Sequence, residues 1–161
     1  MEGALVRTAN EDDLDRLLAF EQAIIEAERP FDATLRRGGD VHYYDLAALI
    51  SSPDAEVVVA QAGRELIGSG YARIENAKAY LKHTKHSYLG FMYVTPEYRG
   101  IGINKKIVAA LEAWSVSRGV TEMQLEVYVQ NAGAIKAYEK AGYKGVILEM
   151  RKSLAENGSG E

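Results

Sequence analysis

The 161-residue chain has no cysteine. That excludes disulfide staples and thiolate chemistry. It also agrees with a reducing compartment, and the chain is expected to be cytoplasmic. No apolar run approaches the ~20 residues needed to cross a bilayer, so no membrane partner is expected. The stretch from Met1 to Asp15 is acidic and has no basic segment followed by an apolar one, so no secretory signal is read there. Basic charge is in short supply, with 19 Lys and Arg against 23 Asp and Glu and a formal net charge of -4. This balance speaks against nucleic acid as a partner. It suits a cationic substrate, and it suits plain solubility equally well. The three histidines, His42, His83 and His86, show no metal-ligand spacing, and His83 and His86 are expected on the surface. No metal is expected.

The chain is 47% hydrophobic and 26% charged, which fits one globular domain with a real core. That domain is expected over 1–154, with a flexible C-terminal tail over 155–161. Ala4 to Ala9 reads as a strand. Asn10 can cap a helix whose apolar face carries Leu14, Leu17, Leu18, Ile24 and Ile25, and Pro30 ends it. Tyr43 to Ser51 predicts a short helix. Strands are expected at Ala55 to Ala62, within Gly63 to Glu75 after a turn, at Tyr88 to Val94, at Glu122 to Val129 and at Tyr143 to Leu154. Asn76 to Ser87 reads as a polar connection. Helices are expected at Ile103 to Ser117 and Asn131 to Gly142, with Asn131 as cap and Gly142 as stop. The order is that of a mixed α/β sheet covered by helices.

The segment Tyr98-Arg-Gly-Ile-Gly-Ile-Asn104 stands where a strand hands over to a helix. Pro96 ends strand pairing. Gly100 and Gly102 can take positive φ and carry no side chain. The first turn of the next helix has amides without internal partners, at the positive end of the helix dipole. Arg99, Lys105 and Lys106 add charge. A diphosphate suits such a site, although a glycine-softened turn that binds nothing has the same residues. Phosphate-loop patterns do not match, since no Gly-Lys-Ser/Thr follows and Lys105 stands where a dinucleotide fingerprint needs a third glycine. Gly68 and Gly70, inside a strand, point instead to a bulge or close packing.

A second segment, Leu125 to Tyr143, adds a further pattern. Taken with Tyr93 to Asn104, it resembles the GNAT superfamily of acyl-CoA-dependent N-acetyltransferases. Arg99, Gly102 and Asn104 match the first signature, and Asn131, Ala134, Tyr138, Gly142 and Tyr143 match the second. Asn104 departs from the family, which usually has Gly or Ala there. The resemblance implies a mixed, mostly antiparallel sheet of six to seven strands with about four helices. It also implies a splayed strand pair that binds acetyl-CoA.

The same resemblance implies acetyl transfer to a primary amine by direct attack on the thioester. The amine itself, small molecule or protein, is not legible. Met92, Tyr93 and Val94 would line the pantetheine arm, with an amide near Met92 or Tyr93 as oxyanion donor. Arg99, Gly100, Ile101, Gly102, Ile103, Asn104 and Lys105 would take the diphosphate. Asn131 and Ala134 would contact the cofactor, Asn131 also serving as a cap. Tyr138 matches the tyrosine that protonates the leaving thiolate. The strand glutamate of some relatives is replaced by Tyr88. Glu75 is therefore the first candidate base and Glu126 the second, with a water chain as a third route. A CoA-binding sensor without turnover is the alternative, and a homodimer is left open.

Overall fold

The computed structural model describes residues 3–155. The expected tail therefore lies, from residue 156 on, outside the described residues. Five strands form one sheet in the order β1-β2-β3-β4-β5. They are β1 (Ala4–Thr8), β2 (Ala55–Ala62), β3 (Glu65–Asn76), β4 (Lys85–Val94) and β5 (Met123–Gln124). The first four pair antiparallel in sequence, and β5 joins β4 in parallel. The helices are α1 (Leu14–Glu28), α2 (Leu46–Ser51), α3 (Ile103–Ser117) and α4 (Ala132–Lys140). Among the described residues, no helix is long and apolar enough to cross a membrane.

Strand alternation divides the core between the two faces of the sheet. Val57, Val59, Tyr71 and Phe91 face α1 and α2, meeting Leu17, Phe20, Ile24, Leu46 and Leu49. Val58, Ala60, Ile67, Ala72 and Leu89 face α3, meeting Ile103, Ile107 and Leu111. α3 lies close on β3 because two glycines admit it. A Cβ on Gly70 would stand 2.8 Å from Ile107, and one on Gly68 would stand 3.1 Å from it. The chain enters α1 through a capping box, in which Asn10 accepts from the Asp12 and Asp13 region while the Asp13 carboxylate accepts from the Asn10 amide at 2.8 Å. Arg7 of β1 donates two 2.9 Å bonds to the same carboxylate, tying helix to sheet.

Four expectations are corrected. β4 begins at Lys85, not Tyr88, because His86 pairs with Glu75 across the ladder. His86 is thereby buried, 8% exposed, rather than on the surface. The strand expected at Glu122 to Val129 is paired only through Met123 and Gln124. Among the described residues, the strand expected over Tyr143 to Leu154 has no ladder, so five strands stand where six to seven were expected. Both segments have the residues of strands, but a strand exists only where a second backbone lies alongside, and among the described residues none does beyond Gln124 or along Tyr143 to Leu154.

Candidate active site

β4 and β5 are paired at Ser87↔Met123 and Tyr88↔Gln124 and no further. Beyond Tyr88 the two backbones part, and among the described residues no strand lies beside the edge of β4 from Leu89 to Val94 on that side. A bulge shapes this edge. Tyr93 pairs with Ser69 and Gly90 with Tyr71, so Phe91 and Met92 together oppose Gly70. Phe91 takes φ +58°, uncommon for a residue with a side chain. Its carbonyl accepts from the Ser69 hydroxyl at 3.0 Å, and its amide donates to the Tyr44 hydroxyl oxygen at 3.3 Å. Gly90 makes room for the bulge, since a Cβ there would stand 2.6 Å from the Tyr71 ring. Met92, Tyr93 and Val94 thus lie on a strand whose local path is pinned from both sides.

The glycine turn follows directly. Gly100 has φ +79° and Gly102 φ +93°, and a Cβ on either would meet nothing within 4 Å. Among the described residues, no amide from Gly100 through Lys105 donates to a protein acceptor. These amides open to space at the start of a 15-residue helix, the arrangement that accepts a phosphate. The Arg99 amide is different, since it donates to the Pro96 carbonyl at 3.3 Å. The Arg99 side chain folds back, its Nε on the Val94 carbonyl at 2.7 Å and its guanidinium 5.6 Å from the Tyr93 ring centroid. Arg99 therefore braces the end of β4.

α4 brings the second motif to the same place. The Asn131 side chain caps it by accepting from the Ala134 amide at 3.2 Å. Gly142, at φ +99°, ends it, and the Tyr143 amide closes the terminus on the Tyr138 carbonyl at 3.0 Å. Tyr138 stacks edge-on with Tyr143, whose hydroxyl donates to Glu112 of α3 at 2.8 Å. Burial pushes the Tyr138 phenol up to about 12, while the Asn104 side chain, approaching its hydroxyl, pulls it down. Asn104 and Tyr138, far apart in sequence, thus meet at the helix start where the open amides lie.

The opposite side of the parting is built from residues that carried no readable motif. Glu21, 0% exposed, accepts from the Tyr43 amide at 2.7 Å, the Tyr44 amide at 2.9 Å and pairs with the His42 ring at 2.8 Å. It holds the loop before α2 against α1 and so sets Tyr43 and Tyr44 in place. The Tyr43 hydroxyl donates to Glu28 at 2.8 Å. Burial raises the Glu28 carboxyl above its ordinary range, and this hydrogen bond partly offsets the shift. Asp32 accepts from Tyr128 at 2.7 Å and from Arg151 at 3.1 Å. Hydrogen bonds from Thr34 and Tyr128 hold Asp32 well below the usual carboxylate range.

The two candidate bases are differently placed. Glu126 accepts from the Tyr88 hydroxyl at 3.2 Å, across the point where the strands part. Glu75 is engaged by Arg73 and by the His86 ring at 3.0 Å. It lies opposite His86, five residues before Phe91 along β4, roughly 16 Å at strand rise. One sequence signal could have found Glu21: it sits one turn after Leu17 and one before Ile24 and Ile25, inside the apolar stripe. Glu28 and Asp32 have no such signal. Among the described residues, no group of three or more His, Asp or Glu is placed to hold a metal ion.

Residues 20–143 match the profile of the acetyltransferase (GNAT) family. The N-alpha-acetyltransferase of Sulfurisphaera tokodaii is 26% identical over 146 residues, 88% of this chain and 80% of that protein. Aminoglycoside N(6')-acetyltransferase type 1 of Stenotrophomonas maltophilia is 28% identical over 78 residues, 47% of this chain and 51% of that protein. The match thus spans about half the length of that relative. The crystal structure of a predicted acetyltransferase with acetyl-CoA from Clostridium acetobutylicum superposes with TM-score 0.71 at 16% identity, covering 94% of this chain and 96% of that one. At that identity the likeness is one of fold.

Proposed function

The chain belongs to the acetyltransferase (GNAT) family, and we propose that residues 1–154 form one catalytic domain that moves the acetyl group of acetyl-CoA to a primary amine by direct attack. One arrangement carries this reading: the open amides that begin α3 follow the unpaired edge of β4, and Asn104 in that first turn is the side chain that lowers the Tyr138 phenol. A binding module has no need of a phenol beside a phosphate site, whereas acyl transfer needs a donor for the departing sulfur.

When bound, acetyl-CoA supplies an activated acyl group as its thioester. The chain's residues do the rest. Amides from Gly100 through Lys105 hold the diphosphate, and Asn131 and Ala134 of α4 border it. The unpaired edge of β4 at Met92, Tyr93 and Val94 aligns the pantetheine arm, and an amide at Met92 or Tyr93 donates to the developing oxyanion. The bulge at Phe91 aims that amide. Glu126, across the parting from Tyr88, takes the proton of the attacking amine. Glu75 is the weaker choice because the Arg73 guanidinium and the His86 ring already hold it. A free ammonium with pKa about 10 costs roughly 4 kcal/mol to deprotonate at pH 7, which is why a nearby carboxylate matters.

Calorimetry with acetyl-CoA and initial rates across an amine panel test the reading. Wild type is expected to bind acetyl-CoA and release thiol with at least one amine. Glu126→Gln is expected to lose about 100-fold or more in kcat/KM with acetyl-CoA affinity unchanged. Tight binding with no turnover on any amine would replace the enzyme reading with a CoA sensor. Retained activity in Glu126→Gln would leave deprotonation to water.

A further inference from the structure

The proposed reaction makes no use of Arg73, an arginine of β3 held from several sides near the parting of the strands. Its guanidinium lies 5.6 Å from the Tyr88 ring centroid and 5.7 Å from that of Tyr71. Burial raises the Tyr71 phenol, and the guanidinium beside it draws that phenol down. Nε and Nη2 of Arg73 both donate to one oxygen of Glu75. The other oxygen of Glu75 is paired with the buried His86 ring at 3.0 Å. Glu75 is thus fixed at both oxygens, and the arginine it grips keeps one orientation. That grip leaves part of the guanidinium unused. A guanidinium offers one fork from Nε and Nη2 and another from Nη1 and Nη2. Glu75 occupies the first. Among the described residues, Nη1 makes no hydrogen bond, and 43% of the side chain is exposed. A fixed, open fork of this kind matches a second carboxylate through two parallel bonds.

Arg73 borders a cleft of about 280 Å³ whose walls include Tyr43, Tyr44, Ala48 and Leu49. Arg73 is the one cation of that lining. The other polar side chains there are already engaged. Asp45 caps α2 by accepting from the Ala48 amide at 3.1 Å, the Ser52 hydroxyl accepts from the Asp54 amide at 3.1 Å, and the Tyr43 hydroxyl donates to Glu28. The cleft adjoins the reacting strand, since the Tyr44 hydroxyl accepts from the Phe91 amide, next to Met92. On the other side of Arg73, the Tyr88 hydroxyl donates to Glu126, the proposed base, at 3.2 Å. One tyrosine side chain therefore spans from the cation to the base.

We propose that the acceptor is a short amino carboxylate, its amine toward Glu126 and its carboxylate on the open fork of Arg73, the two about one tyrosine side chain apart. This deepens the reading of the chain as an amine acetyltransferase and rests on it. An alkylamine of the same length strips water from the fork and returns no hydrogen bond, so a site built this way rejects it. A diamine brings a second ammonium against the arginine, and like charges repel.

Initial rates with acetyl-CoA compare γ-aminobutyrate, δ-aminovalerate and ε-aminocaproate with butylamine, pentylamine and hexylamine, which keep the carbon count and lack the carboxylate. For at least one pair, wild type is expected to favour the amino carboxylate at least tenfold in kcat/KM. Arg73→Gln should bring that value down to the alkylamine's, through KM rather than kcat. Ala48→Leu, at an exposed position of α2, narrows the cleft without touching the arginine and should raise the same KM. A further readout needs no turnover. Calorimetry of the N-acetylated amino carboxylates with CoA-loaded protein should show binding that Arg73→Gln loses. The proposal is overturned by equal kcat/KM within every pair, by binding that survives Arg73→Gln, or by an Arg73→Gln variant that lowers both members of a pair alike. If no amine turns over, calorimetry decides alone. Carboxylate-dependent binding then keeps the role of Arg73 while the transferase reading falls, and no binding overturns both.

Discussion

The hydroxyl of Tyr138 stays protonated far into the alkaline range, because burial raises it to about 12 against the opposing pull of Asn104. A group with so high a pKa keeps its proton at every pH below that value, so the donor population does not fall between pH 7 and 10. The rate should therefore show no alkaline loss attributable to Tyr138 in that interval, as a pH–rate profile would read. Complete transfer of its proton to a thiolate of pKa near 8.5 runs uphill by roughly 5 kcal/mol. In the proposed reaction the hydroxyl would accordingly act by donating a hydrogen bond to the departing sulfur. Tyr138→Phe should lower kcat about 100-fold with acetyl-CoA affinity within a few-fold. Asn104→Ala should lower kcat by about tenfold with KM for acetyl-CoA unchanged, the loss of about one hydrogen bond. A rise in that KM at constant kcat would instead place Asn104 on a phosphate. Tyr138 was singled out because Asn131, Ala134 and Gly142 surround it in the pattern that resembles the family's second signature. Glu28 was not, because a carboxylate on an amphipathic helix reads as solvated until Tyr43 is seen to arrive on it, and Asp32 was not, because its partners Tyr128 and Arg151 are distant in sequence.

Among the elements, the bulged strand β4 depends most on its neighbours. Ser69→Ala would leave the buried Phe91 carbonyl without its donor, at a cost of about 1–3 kcal/mol. Turnover should fall with it while phosphate-end affinity for CoA persists, a split that kinetics and calorimetry together would show. Gly70→Val would drive a side chain against Met92 and Ile107, where even a Cβ stands 2.7–2.8 Å away. Overpacking of this kind costs about 1–3 kcal/mol, read by chemical denaturation. The start of α1 is sensitive to acid. Hydrogen bonds from Arg7, ahead of the burial that opposes them, lower the Asp13 carboxyl. A carboxylate depressed on folding stabilises the fold fully above its unfolded pKa of about 4. That contribution is lost as pH falls through the lower, folded value. Asp13→Asn should flatten the acid limb of the stability curve below about pH 4. β2 and α3 were readable to their ends, since alternation and the 3.6 period are written locally in each. β5 stops at Gln124 and the last strand never pairs, because pairing is decided by a distant backbone that no local pattern names.

At the scale of the molecule, three structural units converge on one carboxylate. Asp32 follows α1, Tyr128 rises from the parting of β4 and β5, and Arg151 comes from the end of the chain. One charge therefore serves as the common anchor of segments that lie 96 and 119 residues away along the chain. Loss of that charge loosens the end of the chain without touching any residue of the end itself. Asp32→Asn should speed tryptic cleavage after Arg151 and Lys152, read by mass over a time course. Cleavage at the wild-type rate would mean that the carboxylate does not hold the C-terminal segment.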